Sequence, residues 1–381
     1  IQYNLDTGEK KTVPTSAWTI RGGGVITLEN NPEFPNPVFV NFDWSGFVTL
    51  IDYKTGKRMN YPKNMEAVGT EIVGICPADG YVYVSGYMGP TSSKYNPETK
   101  TADVSFDMQQ CNPIAEIGGK IYYGAYPNAE LWVFDPHLPA IQNENPKKLF
   151  SLHEDYKQNR PMTIIEADGK IVMGGIANYT LLQGGFAVYD PVTEALEFVN
   201  APQDLSVTDL AYKDGKLYGS TTIYGGLGST PVKTSAQLFK YDLEDKTMEW
   251  GKELIIGDYE KPKMFGGLAF GSDGLLWSVS QGLVFGLDPE TGVAQKILNV
   301  NGYTNSPVSW VPYGVEFDSD GFLYVAAHGR LFVIDIQTME YKNIAPDLTG
   351  VNQLSLADDG KTIYTYKNDK LYRVKRDIPE S

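Results

Sequence analysis

The sequence predicts an all-β fold: an eight-bladed β-propeller of four-stranded blades closed by pairing of the two termini, with a seven-bladed ring as the alternative. Three observations carry that prediction. Short apolar strands recur in pairs joined by Asp-Gly or Gly-Gly. A second turn, of the type Asp-Pro-Glu-Thr-Gly, recurs between two further strands. No helical periodicity intervenes, so parallel α/β folds are excluded by pattern. Four strands in a repeat of roughly 40 residues make a propeller blade.

In chain order, the leading "IQYNLDTGEKKTV" reads as an outer strand of a blade whose inner strands come last, in "LSLADDGKTIYTYKNDKLYRVKR". That pairing would close the ring and remove an exposed sheet edge. A degenerate first copy follows, "GGGVITLENNPEFPNPVFVNFDWSGFVTLIDYKTG". The Asp-Gly half then repeats as "ICPADGYVYVSGY", "IAEIGGKIYYGAY", "IIEADGKIVMGGI", "LAYKDGKLYGSTT", "LAFGSDGLLWSVS", "VEFDSDGFLYVAA" and "LSLADDGKTIYTY". The other half appears as "LIDYKTGKRMNYP", "KYNPETKTADVSF", "VYDPVTEALEFVN", "GLDPETGVAQKIL" and "VIDIQTMEYKNIA". Gly and Asn/Asp supply the positive φ, and Pro the fixed φ, that such turns require. All 381 residues are assigned to one domain, 1–381.

In a propeller, the turns inside the first and last strand pairs share one face, and these are short. The opposite face receives the second-to-third loops and the inter-blade connections. Here those are long and irregular: "GYMGPTSS", "GAYPNAE", "GGIANYTLLQGG" and "TTIYGGLGSTPVKTS" among them. Long loops on a rigid scaffold are where function concentrates. The Gly-rich "GGLGSTPV" is no phosphate cradle, because the Gly-Lys-Ser/Thr ending and the following helix are missing.

Net charge is −15 and the pI near 4.7. That field opposes nucleic acid and anionic membranes, whose protein partners contribute Lys and Arg. No apolar run approaches the ~20 residues that span a bilayer. Only Cys76 and Cys111 are present, which rules out a disulfide scaffold. Placed a strand apart, they are expected as free thiols. A chain beginning at Ile1 reads as a mature or excised fragment, one module of a larger chain.

The repeats resemble the quinoprotein/YVTN-type β-propellers over nearly the whole chain. "QNRP", "NYTLLQGGFAVYDP" and "TTIYGGLGSTP" are similar to motifs of propeller modules in secreted bacterial proteins linked to carbohydrate breakdown. Those relatives read Tyr-Gly where this chain has Tyr179-Thr180. The resemblance implies an extracellular or cell-surface address and a carbohydrate partner. The ring-stacking Trp of quinone dehydrogenases is missing after the Thr-Gly turns ("TGKRMN", "TGEKKT", "TGVAQK"), so no quinone cofactor is expected.

Candidate residues follow from the loop face. Trp44, Tyr87, Tyr126, Tyr303 and Trp310, with Asn159, are read as substrate-binding, since aromatic rings bury apolar sugar faces while polar tips meet hydroxyls. Tyrosines inside "KIYYG" and "KLYGS" are assigned to the core. Arg160 would clamp a carboxylate, with Arg21 and Arg330 as weaker versions. His328 is the general-base candidate by position, beside Tyr179 and Tyr224. His153 lies in the loop leading to Arg160, and His137 is a turn residue of the other face. No metal-ligand spacing occurs and no cofactor is expected, although Glu154, Asp155, Asp258 and Glu260 leave calcium open.

Two functions compete. One is a polysaccharide lyase, in which Tyr or His removes a uronate C5 proton while Arg neutralises the carboxylate. The other is a non-catalytic module that binds glycan or protein through the same face.

Overall fold

The computed structural model describes residues 1–12, 20–43, 47–61, 69–88, 91–306, 310–311 and 313–376, with the backbone alone at 20 and 21. The chain groups into two compact units, Ile1–Gly69 and Thr70–Ser381. The sheets are antiparallel, mostly four-stranded and ordered as in the sequence, an all-β, propeller-like architecture.

In the first unit, Gln2–Tyr3 pairs with Lys10–Lys11 across "LDTGE" as a separate two-stranded sheet. Sheet 1 is Ile20–Ile26, Val38–Asp43, Val48–Asp52 and Arg58–Tyr61. A long connection, 27–37, replaces the Asp-Gly turn of the other copies, which is why this copy looked degenerate.

The second unit holds sheets 2 to 8. Sheet 2 is Ile72–Ala78, Tyr81–Gly86, Thr91–Asn96 and Thr101–Asp107. Sheet 3 is Gln110–Ile117, Lys120–Tyr126, Glu130–Phe134 and Lys147–Ser151. Sheet 4 is Gln158–Ala167, Lys170–Ala177, Gly185–Tyr189 and Leu196–Asn200. Sheet 5 is Ser206–Lys213, Lys216–Thr222, Leu238–Asp242 and Thr247–Lys252. Sheet 6 is Leu268–Phe270, Leu276–Ser280, Leu283–Leu287 and Ala294–Asn299. Sheet 7 is Val315–Phe317, Leu323–Ala327, Arg330–Ile334 and Tyr341–Asn343. Sheet 8 has three strands, Ser355–Leu356, Thr362–Lys367 and Lys370–Lys375. Among the described residues no pairing joins the two termini, the closure expected from the sequence.

Local chemistry accounts for the turns. Asp79-Gly80, Asp168-Gly169 and Asp214-Gly215 all have positive φ, 50–52° at Asp and 70–78° at Gly. That is the left-handed pair a two-residue hairpin needs. In the Thr-Gly turns the leading carboxylate accepts two following backbone N–H groups, as Asp52 does from Lys54 and Thr55 and Asp288 from Glu290 and Thr291. Those bonds hold such carboxyls below their usual range, Asp52 at about 2, where the Asn36 side-chain bond is the largest cause.

Successive sheets pack through apolar clusters. Trp277 and Val279 of sheet 6 meet Val325 and Phe332 of sheet 7. Each fully buried aliphatic or aromatic side chain contributes about 1.5–3 kcal/mol. Tyr122, Tyr123 and Tyr218 are buried, as their strand positions implied. Sheet 8 packs on sheet 2: Ile72 N donates to Asn368 O at 2.7 Å, and Tyr366 Oη to Val73 O at 2.8 Å. Ile72, Val82 and Tyr364 share one cluster there.

The first strands, or the residues entering them, of sheets 2 to 8 line a single cavity of about 160 Å³. Asp209 and Glu316 face it. Asp209 accepts from Thr163 Oγ1 of the preceding sheet at 2.5 Å and from Leu268 N of the following one at 2.7 Å. Glu316 accepts from Leu356 N of sheet 8 at 2.8 Å. Burial raises both carboxyls, Asp209 to about 6 and Glu316 to about 7.

Cys76 and Cys111 are free and buried. Both belong to the apolar cluster that contains Tyr123, and neither forms a disulfide, as the sequence implied.

Candidate functional site

In the second unit, loops from one side of the sheets are bonded to one another. Tyr87 N donates to Glu71 O, Leu152 N to Ala129 O, Asn178 N to Lys157 O, Thr180 N to Leu227 O, and Ile223 N to Lys263 O. The Gly-rich segment is explained by this zipper. A Cβ at Gly225 would lie 2.1 Å from Leu181 O, and one at Gly226 2.0 Å from Asn178 O. Only glycine lets the sheet 4 and sheet 5 loops approach so closely.

Arg160 stands at the centre. Its guanidinium lies 3.9 Å from the Tyr126 ring centroid and 5.7 Å from that of Trp310. Its Nη1 donates to Asn112 Oδ1 at 3.4 Å. A cation over an aromatic face gains about 0.5–2 kcal/mol, more as water is excluded. Among the described residues no carboxylate pairs with it. Burial lowers the guanidinium from its ordinary value and the surrounding phenols raise it, but arginine stays cationic in proteins. The result is a half-buried positive charge with no counter-ion.

Two phenols complete the site. Tyr126 Oη and Tyr179 Oη are 2.5 Å apart. Burial, the bond to Tyr179 and that phenol's charge push Tyr126 up to about 12, against the lowering effect of Arg160. Tyr87, well exposed, acts electrostatically on both Tyr126 and Arg160. Trp310 Nε1 donates to Gly225 O at 2.9 Å, which fixes the indole on the Gly-rich loop next to Tyr224. Tyr224 is half-buried, its N bonded to Thr222 Oγ1. Non-glycine residues with left-handed backbone gather around these groups: Asn128 (φ 80°), Ala129 (46°), Lys157 (56°), Thr180 (65°) and Trp310 (61°). Strained backbone of this kind clusters at ligand sites.

Other candidates fall elsewhere. Asn159 is buried, and its Oδ1 accepts from Asn128 N at 3.0 Å, so it holds the turn that carries Tyr126. Gln158 and Arg160 flank a β-bulge whose extra residue, Asn159, turns its side chain to Asn128 while Arg160 reaches Tyr126. His328 (φ 48°) and Gly329 (φ 76°) form the two-residue turn of sheet 7. The His328 Nδ1 is 3.1 Å from the carbonyls of Asn301 and Gly302. Tyr303 donates to Glu260 O at 2.8 Å and packs edge-on against Tyr259. Arg330 donates to Pro346 O. His153 opens a one-turn helix, His153–Tyr156, where Glu154 is exposed. Trp44 lies outside the described residues, as does the Arg21 side chain. Among the described residues no three His, Cys, Asp or Glu are placed to hold a metal.

Sequence reasoning missed Asn112. The signal was present: "QCNP" (110–113) and "QNRP" (158–161) are the same motif in adjacent sheets, with Asn112 and Arg160 in register. A scan against protein-family models and a search of curated proteins each return no match.

Proposed function

We propose that the Arg160 site takes an acidic sugar and that the protein is an extracellular, glycan-processing propeller, a polysaccharide lyase acting on uronate by β-elimination. The observation carrying this reading is the uncompensated guanidinium walled by Tyr126, Tyr179, Tyr87 and Trp310. Rings accept the apolar sugar faces, and the cation accepts the carboxylate. Tyr126 keeps its proton at neutral pH. Its hydroxyl shares one hydrogen bond with that of Tyr179, in which either can donate, and the scheme assigns the base to Tyr179, deprotonated for the reaction.

In the reaction, Tyr179 Oη takes the C5 proton and the C5–H electron pair becomes the C4=C5 double bond. The C4–O bond breaks, and the departing sugar oxygen is protonated from solvent or from Tyr126. Arg160 lowers the cost of negative charge on the carboxylate as the C5 proton leaves. His328, bonded into its turn, has no role in this scheme.

Seven blades in Thr70–Ser381 form the matching scaffold, supported by the packing of sheet 8 on sheet 2 and by the cavity that all seven sheets line. The quinoprotein/YVTN-like resemblance and a place in a larger secreted chain belong to the same proposal, without a cofactor.

Incubation with polygalacturonate, alginate and hyaluronan tests it, with absorbance of the 4,5-unsaturated product as readout. Turnover that disappears in Tyr179→Phe supports the lyase. Tight binding without product leaves the non-catalytic glycan module. Neither binding nor product removes the proposal.

A further inference from the structure

Sheet 8 differs from the seven other repeat sheets in ending at its third strand. The outer strand Lys370–Lys375 pairs with Thr362–Lys367 on one side, and among the described residues nothing pairs on the other. In the other sheets a fourth strand sits there and packs apolar residues between sheets. Leu196 and Phe198 do so in sheet 4, and Ile297 in sheet 6.

Both sides of the free edge are open. One groove, of about 640 Å³, runs from Lys370, Leu371 and Tyr372 to Ile72, Val84 and Tyr95 of sheet 2. The other, of about 720 Å³, runs from Lys370, Arg373 and Val374 to Ile344, Pro346 and Leu348 after sheet 7. Side chains of a strand alternate between its two faces. An added strand would therefore place apolar side chains in the two grooves in turn while its backbone completes the ladder.

The edge also carries charge of its own sign. "KLYRVK" has three basic residues and no acidic one, in a chain of net charge −15. Arg373 is paired with Glu98, and among the described residues Lys370 and Lys375 have no ion-pair partner. The groove walls add Lys367 against Asp347 and Asp369, which leaves the edge net basic. Exposed lysines on an edge discourage pairing with a like-charged edge. A second copy's Lys370–Lys375 would bring such an edge, so it is disfavoured. We infer that the free edge of Lys370–Lys375 is a docking site for an extended acidic peptide strand from another protein, with apolar residues at alternate positions.

The chain supplies its own probe. Residues 193–200, Thr-Glu-Ala-Leu-Glu-Phe-Val-Asn, are an acidic fourth strand, and residues 147–152, Lys-Lys-Leu-Phe-Ser-Leu, a basic one. Fluorescence anisotropy of each labelled peptide with the full chain is the measurement. The acidic peptide is expected to bind, at least about tenfold more weakly to the K370E/K375E double variant and more weakly at high salt. A backbone N-methylated version should not bind. Absent binding, equal binding by the basic or N-methylated peptide, or self-association seen by light scattering would each overturn the inference.

Discussion

At the scale of single residues, the site depends on backbone that side chains resist. Thr180 holds φ 65°, a left-handed backbone that favours glycine. A β-branched residue there costs about 1–2 kcal/mol. Thr180→Gly is expected to raise stability by up to about 1 kcal/mol, since glycine's unfolded-state entropy offsets part of the relief. An unchanged or lower denaturant midpoint would contradict this. Gly225→Ala should act in the opposite direction. Its methyl meets Leu181 O, so the two loops must part at a cost of about 1–3 kcal/mol. The same change should move the Trp310 anchor at Gly225 O, seen as altered indole fluorescence. Arg160 was legible in the sequence because "QNRP" enters a strand from the loop face. What the chain position does not reveal is which way a side chain points or what holds it: Asn159 is bonded to Asn128 and His328 to the Asn301 and Gly302 carbonyls. Asn112 was not legible because nothing in "QCNP" marks its amide as the partner of an arginine in the next sheet.

Among the elements, strands and turns were the most legible. Asp-Gly marks a turn at each position, but with two geometries: both residues are left-handed at Asp79-Gly80, Asp168-Gly169 and Asp214-Gly215, and glycine alone at Asp273-Gly274, Asp320-Gly321 and Asp359-Gly360. What the motifs do not encode is how the first strands bond around the cavity. There Asp209 and Glu316 fasten neighbouring sheets through backbone N–H groups while burial raises their carboxyls. A raised carboxyl in the fold means that the folded state binds its proton more tightly than the unfolded chain. Stability from these groups is therefore full below pH ~4 and lost as pH rises through about 6 and about 7. Each contributes roughly 1–3 kcal/mol across that window. Urea midpoints between pH 4 and 8 should fall for the native chain and flatten in D209N/E316Q. A native profile that rises over this range would contradict the assignment.

For the whole molecule, the sequence favoured one domain because the repeats look alike on both sides of Gly69. How the sheets group into compact units depends on which sheets touch, and the motifs do not encode that. Sheet 8 meets sheet 2 through Ile72, Val73 and Tyr366. Residues 70–381 expressed alone are thus expected to unfold in a single cooperative transition, read by circular dichroism. Failure to fold, or a broad multiphasic melt, would count against the seven-blade reading.

The central claim is that Arg160 makes this face a site for acidic sugars. Calorimetric titration with a galacturonate hexamer, and with its neutral, carboxyl-reduced counterpart, tests it most directly. Binding of the acidic hexamer is expected, with at least about tenfold weaker binding of the neutral one. Loss of roughly 10- to 100-fold is expected in Arg160→Gln, the value of a charged hydrogen bond. Equal affinity for both sugars, or full affinity in Arg160→Gln, would contradict it.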